Sequence, residues 1–290
     1  MEAKKKSTRS SNSKRQFQKL LANKLSLVGF IILVVITLMC TFAFLLTKWD
    51  PSFIDMSLRY AEPSSEHILG CDQSGRDVWA RVLYGGRISI AIGIVCSVLA
   101  NVLGAAVGCV SGYYGGKLDQ ALVFVKEIFG CFPTTMIVLV VMGLSGQGVL
   151  VMCTIFVLTG WPSTMSYVRS RMLSLKTETF VENLRSTGVG SISIMFRHLL
   201  PNTLGVFIIN ITTNIGGYVL SEAGLSFLGL GVPKGIPTWG NMLNAARSFT
   251  VMSEHPLLWI IPGIAVSLFA LGAHFLGDGL RDVFDVKTED

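Results

Sequence analysis

Two glycine-rich strings carry the residue types that cradle a phosphate. Ser111-Gly112-Tyr113-Tyr114-Gly115-Gly116-Lys117-Leu118 approaches the nucleotide-binding loop pattern, in which backbone N–H groups surround the phosphates and a terminal Ser or Thr hydroxyl reaches magnesium. It departs twice: Ser111 stands where the first glycine belongs and Leu118 where the hydroxyl is required. These glycines read instead as a tight turn between membrane segments. Gly229-Leu230-Gly231-Val232-Pro233-Lys234-Gly235 likewise misses the dinucleotide spacing and reads as a loop. His67, His198, His255 and His274 fall in separate segments with no cysteine or carboxylate at ligand spacing, so no metal site is expected. No Ser or Cys stands in a nucleophile elbow or beside a candidate base. The cysteines are scattered, with Cys71 alone in a polar segment and the others in apolar runs, and are read as free thiols. The chain is expected to perform no covalent chemistry and to bind no cofactor itself.

Two other features stand out. Glu222 is an ionisable residue near the end of an apolar run, where a carboxylate is either paired or exposed at the interface. The polar, amphipathic segment 169–202 carries Glu182, Gly188 and Leu200-Pro201-Asn202. At 34 residues it is long for a plain connection. Its apolar positions Leu173, Leu175, Phe180, Val181 and Leu184 recur at spacings compatible with one helical face.

The elements that hold these residues are set by composition. The chain has 290 residues, 51% hydrophobic and 14% charged, with a mean hydropathy of +0.58, which excludes an ordinary soluble domain. The expected fold is all-α and polytopic. Residues 25–47 contain 15 Leu, Ile, Val or Phe, an insertion term of roughly −5 to −9 kcal/mol. Further uncharged runs at 88–112, 128–144 with a kink at Pro133, 149–167, 203–220 and 256–277 bring the expectation to six transmembrane helices.

The tail 1–24 is basic, which could imply nucleic acid, but basic residues directly before a first span orient it with its N-terminus in the cytoplasm. No nucleic-acid partner is expected. Both termini are then cytoplasmic, as are 112–120, 169–202 and 278–290. This arrangement places 16 Lys and Arg inside against 7 outside, with Lys126 unassigned. The outer loop 48–87 is the most charged of the outside segments, and 49–86 and 226–255 are candidate surfaces for an external partner.

At this point the chain resembles the transmembrane subunits of ATP-binding-cassette importers with the type I fold. Their cytoplasmic signature reads Glu-Ala-Ala, three residues, Gly, nine residues, Ile-x-Leu-Pro; Glu182, Gly188, Leu200 and Pro201 match it, while Asn183 and Leu184 replace the alanines and His198 the isoleucine. The strings His67-Ile68-Leu69-Gly70-Cys71-Asp72-Gln73-Ser74-Gly75-Arg76-Asp77, Arg87-Ile88-Ser89, Leu220-Ser221-Glu222-Ala223-Gly224-Leu225-Ser226-Phe227-Leu228-Gly229-Leu230-Gly231 and Gly277-Asp278-Gly279-Leu280-Arg281-Asp282 look like the C-type subunit of the dipeptide, oligopeptide and nickel branch. The resemblance implies a tail 1–24, a first span and outer loop 25–87, a type I transmembrane domain 88–278 with its coupling loop at 169–202, and a C-terminal segment 279–290. It also implies a heterodimer with a B-type permease in the lipid of the bacterial cytoplasmic membrane, two ATPase subunits carrying ATP and magnesium, and an external substrate-binding protein. Glu182, Asn183, Leu184, Gly188, His198, Leu200 and Pro201 would form the ATPase contact, and Glu222 a gate or helix-pairing site. A stand-alone ion-coupled transporter is the rival reading; it would need intramembrane carboxylates or repeat symmetry.

Overall fold

A computed structural model describes residues 23–285. All but the last two residues of the basic tail 1–24, and the end of segment 279–290, lie outside the described residues. The described chain is almost entirely helical, with no strand beyond one isolated bridge between Cys71 and Asp77. The main helices are α1 (Lys24–Thr41), α2 (Val78–Tyr114), α3 (Gly116–Gly130), α4 (Thr134–Ser145), α5 (Val149–Leu175), α6 (Thr179–Ser186), α7 (Leu204–Phe227), α8 (Trp239–Ala245) and α9 (Leu257–Asp285), with shorter helical pieces that include Phe249–Glu254 before α9. Five helical segments, those of α1, α2, α5, α7 and α9, are long and apolar enough to cross a membrane, and α3 with α4 makes a sixth if this pair, bent by 79°, counts as one span.

Several boundaries differ from the sequence expectation, each for a physical reason. Helix α2 starts at Val78, so 78–87, assigned to the outer loop, is helical. Its charges are consumed there rather than solvated: buried Arg81 donates to the Pro51 carbonyl at 3.0 Å, and Arg87 donates to the Cys40 and Thr41 carbonyls at 2.7 Å each. Arg87 thereby caps the last turn of α1. Helix α1 itself stops at Thr41, short of the expected residue 47, and a separate turn covers Ala43–Leu46. Helix α5 runs on to Leu175, so the segment expected to begin at 169 leaves the helix only at Lys176. Helix α7 extends to Phe227, placing Glu222 inside it.

Glycine sets the closest packing. A Cβ built on Gly104, Gly108 or Gly112 of α2 would sit 2.5, 2.7 and 2.6 Å from the carbonyl oxygens of Trp161, Met165 and Arg169 on α5. The four-residue spacing on both helices keeps the contact in register, and only a missing side chain allows it. A second close approach joins α1 to α9, where a Cβ on Gly29 would lie 2.7 Å from the Gly272 carbonyl. Asn23, which caps α1, also donates to Asp282 at 2.9 Å, so both described ends of the chain share one end of the bundle.

Candidate functional site

The segment after α5 is a compact helical unit. Helix α6 ends in a left-handed turn at Gly188, φ +79°, with the Val189 N–H on the Leu184 carbonyl at 3.0 Å and the Gly188 N–H on the Arg185 carbonyl at 3.0 Å. This paired six-to-one and five-to-two pattern satisfies the last carbonyls of α6, and Leu184 and Val189 both pack on the same apolar cluster. A short turn Ser191–Ser193, a π-helical stretch Ile194–Leu199 and a tight turn Leu200–Thr203 holding Pro201 then lead into α7.

The unit has two unlike faces. Val181, Ile194, Met195 and Leu199 are fully buried against Cys109, Val168 and Met172 of α2 and α5. Tyr113, at the end of α2, donates from its hydroxyl to Ser191 Oγ at 3.4 Å, and Arg185 Nε donates to that hydroxyl at 3.3 Å, with the guanidinium carbon 5.1 Å from the ring centroid. The opposite face is open: Glu182, Asn183 and Pro201 are exposed, together with the large apolar Phe180, Ile192 and Phe196. Leu184, His198 and Leu200 are half-buried between the faces, and the His198 carbonyl accepts from Asn202 Nδ2 at 2.7 Å. The single helical face expected through 173–184 is not formed, because the chain breaks at Lys176–Glu178 and Phe180 turns outward.

Beside this unit, Asp119 of α3 receives the Arg169 fork at 2.5 and 2.6 Å and the Ser111 hydroxyl. The turn that carries Asp119 into place is the glycine pair Gly115 (φ +69°) and Gly116 (φ +60°), the string that approached a nucleotide loop. Tyr113, Arg185, Asp119 and Arg169 were not singled out in the sequence, since each is ordinary in type and meets its partner only across helices.

Glu222 lies away from the α6 unit. It is fully buried, accepting from Ser89 Oγ of α2 and from Ser226 Oγ at 2.8 Å each, with Thr238 as a third partner. Trp239 N–H reaches Ser89 Oγ at 3.3 Å. This excludes the water-exposed alternative: the carboxyl joins α2, α7 and α8. Among the described residues no three His, Cys, Asp or Glu side chains converge as metal ligands.

Residues 100–289 match the binding-protein-dependent transport system inner membrane component family, and residues 11–63 match the N-terminal transmembrane domain of oligopeptide transport permease C. The chain belongs to this importer permease family. A dipeptide transport system permease protein of Alkalihalophilus pseudofirmus is 34% identical over 94% of this chain and 89% of its own length. An oligopeptide transport system permease protein of Bacillus subtilis is 32% identical over 92% and 87%, and a glutathione transport system permease protein of Pectobacterium atrosepticum is 34% identical over 90% and 86%. This permease is accordingly a membrane protein, and its family members are membrane components of transporters rather than enzymes.

Proposed function

We propose that this chain is the C-type half of a heterodimeric, ATP-driven importer that carries peptides, or a related small solute such as a metal chelate, across the bacterial cytoplasmic membrane. In this reading α3 and α4 form one bent span, giving six spans with both termini cytoplasmic. The α6 unit docks a separate ATPase, which holds ATP and magnesium, and an external binding protein delivers the cargo at the opposite end. The observation that carries the reading is the two-faced α6 unit: an inner face locked to α2 and α5, and an outer face that leaves Glu182, Asn183, Phe180, Ile192 and Phe196 exposed among the described residues. An exposed apolar group rimmed by polar side chains marks a protein contact. The peptide assignment rests on the names of the relatives.

ATP binding would draw the two ATPases together and displace the α6 units, and the packed α2–α5 pair would carry that shift into the bundle as a change in population between inward- and outward-open states. The test is reconstitution in liposomes with the partner permease, both ATPases and the binding protein. We expect ATP hydrolysis to rise several-fold when peptide-loaded binding protein is added, with labelled peptide accumulating inside the compartment bearing the ATPases. Uptake by this chain alone, driven by an ion gradient, would overturn the proposal in favour of a secondary transporter.

A further inference from the structure

Helix α3 rides on the surface of the bundle. Of its 15 residues only Asp119 is buried, while Leu118, Phe124, Val125 and Ile128 are exposed. A second hold lies at its far end, where the rings of Phe129 and Trp161 of α5 meet at 77° with centroids 5.8 Å apart. Both ends of α3 are breaks. Gly115 and Gly116 before it have φ of +69° and +60°, and after Gly130 the chain bends by 79° into α4. A Cβ built on Gly116 or Gly130 would meet nothing within 4 Å, so neighbours wedge neither break. A stiff segment between two bends takes its position from whatever grips it.

The grip at Asp119 is a fork. Arg169 Nε donates to Oδ1 at 2.5 Å and Nη2 to Oδ2 at 2.6 Å, and the Ser111 hydroxyl donates to Oδ1 at 2.5 Å. A two-pronged charged contact fixes the carboxylate in direction as well as distance, which a lysine contact does not. An exposed ion pair would hold little, whereas this carboxylate is buried and takes three donors. Its partners are also where the α6 unit is fastened. Ser111 lies two residues before Tyr113, whose hydroxyl receives Arg185 of α6. Arg169 sits on the glycine seam, its carbonyl oxygen 2.6 Å from a Cβ built on Gly112. Lys176, through which α5 runs on toward α6, reaches over the same turn, its Nζ 3.3 Å from a Cβ built on Gly115.

We propose that the Asp119 carboxylate is the joint through which movement of the α6 unit is passed to α3, so that Asp119 and Arg169 act as positioning residues for peptide translocation. The inference rests on the importer reading above. Movement of α6 carries Ser111 and Arg169 as one block, the fork carries Asp119 with them, and α3 swings on its two bends and reorients α4.

The experiment uses the complete transporter reconstituted in liposomes and measures peptide accumulated and ATP hydrolysed with loaded binding protein present. In Asp119→Asn one acceptor becomes a donor and the fork opens; peptide delivered per ATP should fall about tenfold while ATP hydrolysis stays within about twofold of native. Arg169→Lys keeps the charge without the fork and should lower the same ratio about threefold. The yield of assembled complex and its unfolding midpoint check that folding is kept. Spin labels at Phe124→Cys and Lys234→Cys, with the exposed Cys131 replaced by serine, read the swing directly: ATP should change their separation when Asp119 is present and leave it unchanged in Asp119→Asn. A native ratio of peptide to ATP in both variants would overturn the joint. So would uptake and hydrolysis falling in the same proportion, which would leave the ion pair a structural tie only, or an ATP-driven change in separation that persists in Asp119→Asn. A native complex whose hydrolysis ignores the binding protein would sink the importer reading instead.

Discussion

Gly188 is held in its place by backbone geometry alone. Its φ is +79° and a Cβ there would meet nothing within 4 Å, so conformation and not space selects glycine. Asn, which tolerates the left-handed region, should preserve peptide uptake in the reconstituted importer, whereas a β-branched Val should reduce it severely. Equal uptake by Gly188→Asn and Gly188→Val would count against a conformational role. Glu222 presents the opposite case, a residue selected by its partners. In Glu222→Gln the amide nitrogen no longer accepts, leaving the Ser89 or Ser226 hydroxyl to find another oxygen, and the loss should be about 1–3 kcal/mol. Thermal unfolding of the detergent-solubilised permease reads this as a lowered midpoint; an unchanged midpoint would mean the carboxyl is not needed as a double acceptor. Gly188 was legible in the sequence because a turn requirement is local. The surroundings of Glu222 were not, since one of its hydroxyl partners lies 133 residues away in the chain.

At the scale of the element, the α2–α5 seam rests on Gly104, Gly108 and Gly112. Gly108→Leu would force the backbones apart at the middle of that seam, at a cost of about 1–3 kcal/mol. The expected readout is a lower unfolding midpoint together with faster proteolysis at Lys176, where α5 gives way to the α6 unit; an unaltered midpoint and cleavage rate would show that the helices repack freely. The four-residue glycine spacing was visible in the sequence, but it carries no meaning until a second helix is known to lie against it. Helix ends were misplaced for a related reason. Hydropathy counts Arg81 and Arg87 as loop residues, although Arg81 meets the Pro51 carbonyl and the Asp72 carboxylate and Arg87 meets two carbonyls of α1. The apolar interiors of the spans were legible, because membrane insertion acts on composition within a single segment. The bend between α3 and α4 was foreshadowed by Pro133, but its 79° angle depends on tertiary packing.

For the whole molecule, Tyr113 meets Arg185 at one end of α2 and Asp77 caps the other, where Arg81 and Lys234 line one hollow, so α6 and Lys234 lie at opposite ends of one helix. Single cysteines introduced at Glu182 and at Lys234, in a chain whose exposed Cys131 is replaced by serine, should be labelled by an impermeant thiol reagent from opposite faces of the membrane. Labelling of both from one face would overturn the six-span arrangement. The described ends of the chain meet at Asn23 and Asp282, which closes α1 and α9 into one wall of the bundle.

The 37 residues of α2 span about 55 Å at roughly 1.5 Å per residue. Because three glycines of α2 let the backbone of α5 come into direct contact along the seam, the two helices have the mechanics of a connecting rod. A small tilt imposed at Tyr113 would reappear at the far end in proportion to that length, and the stiffness of the pair rests on the absence of three side chains.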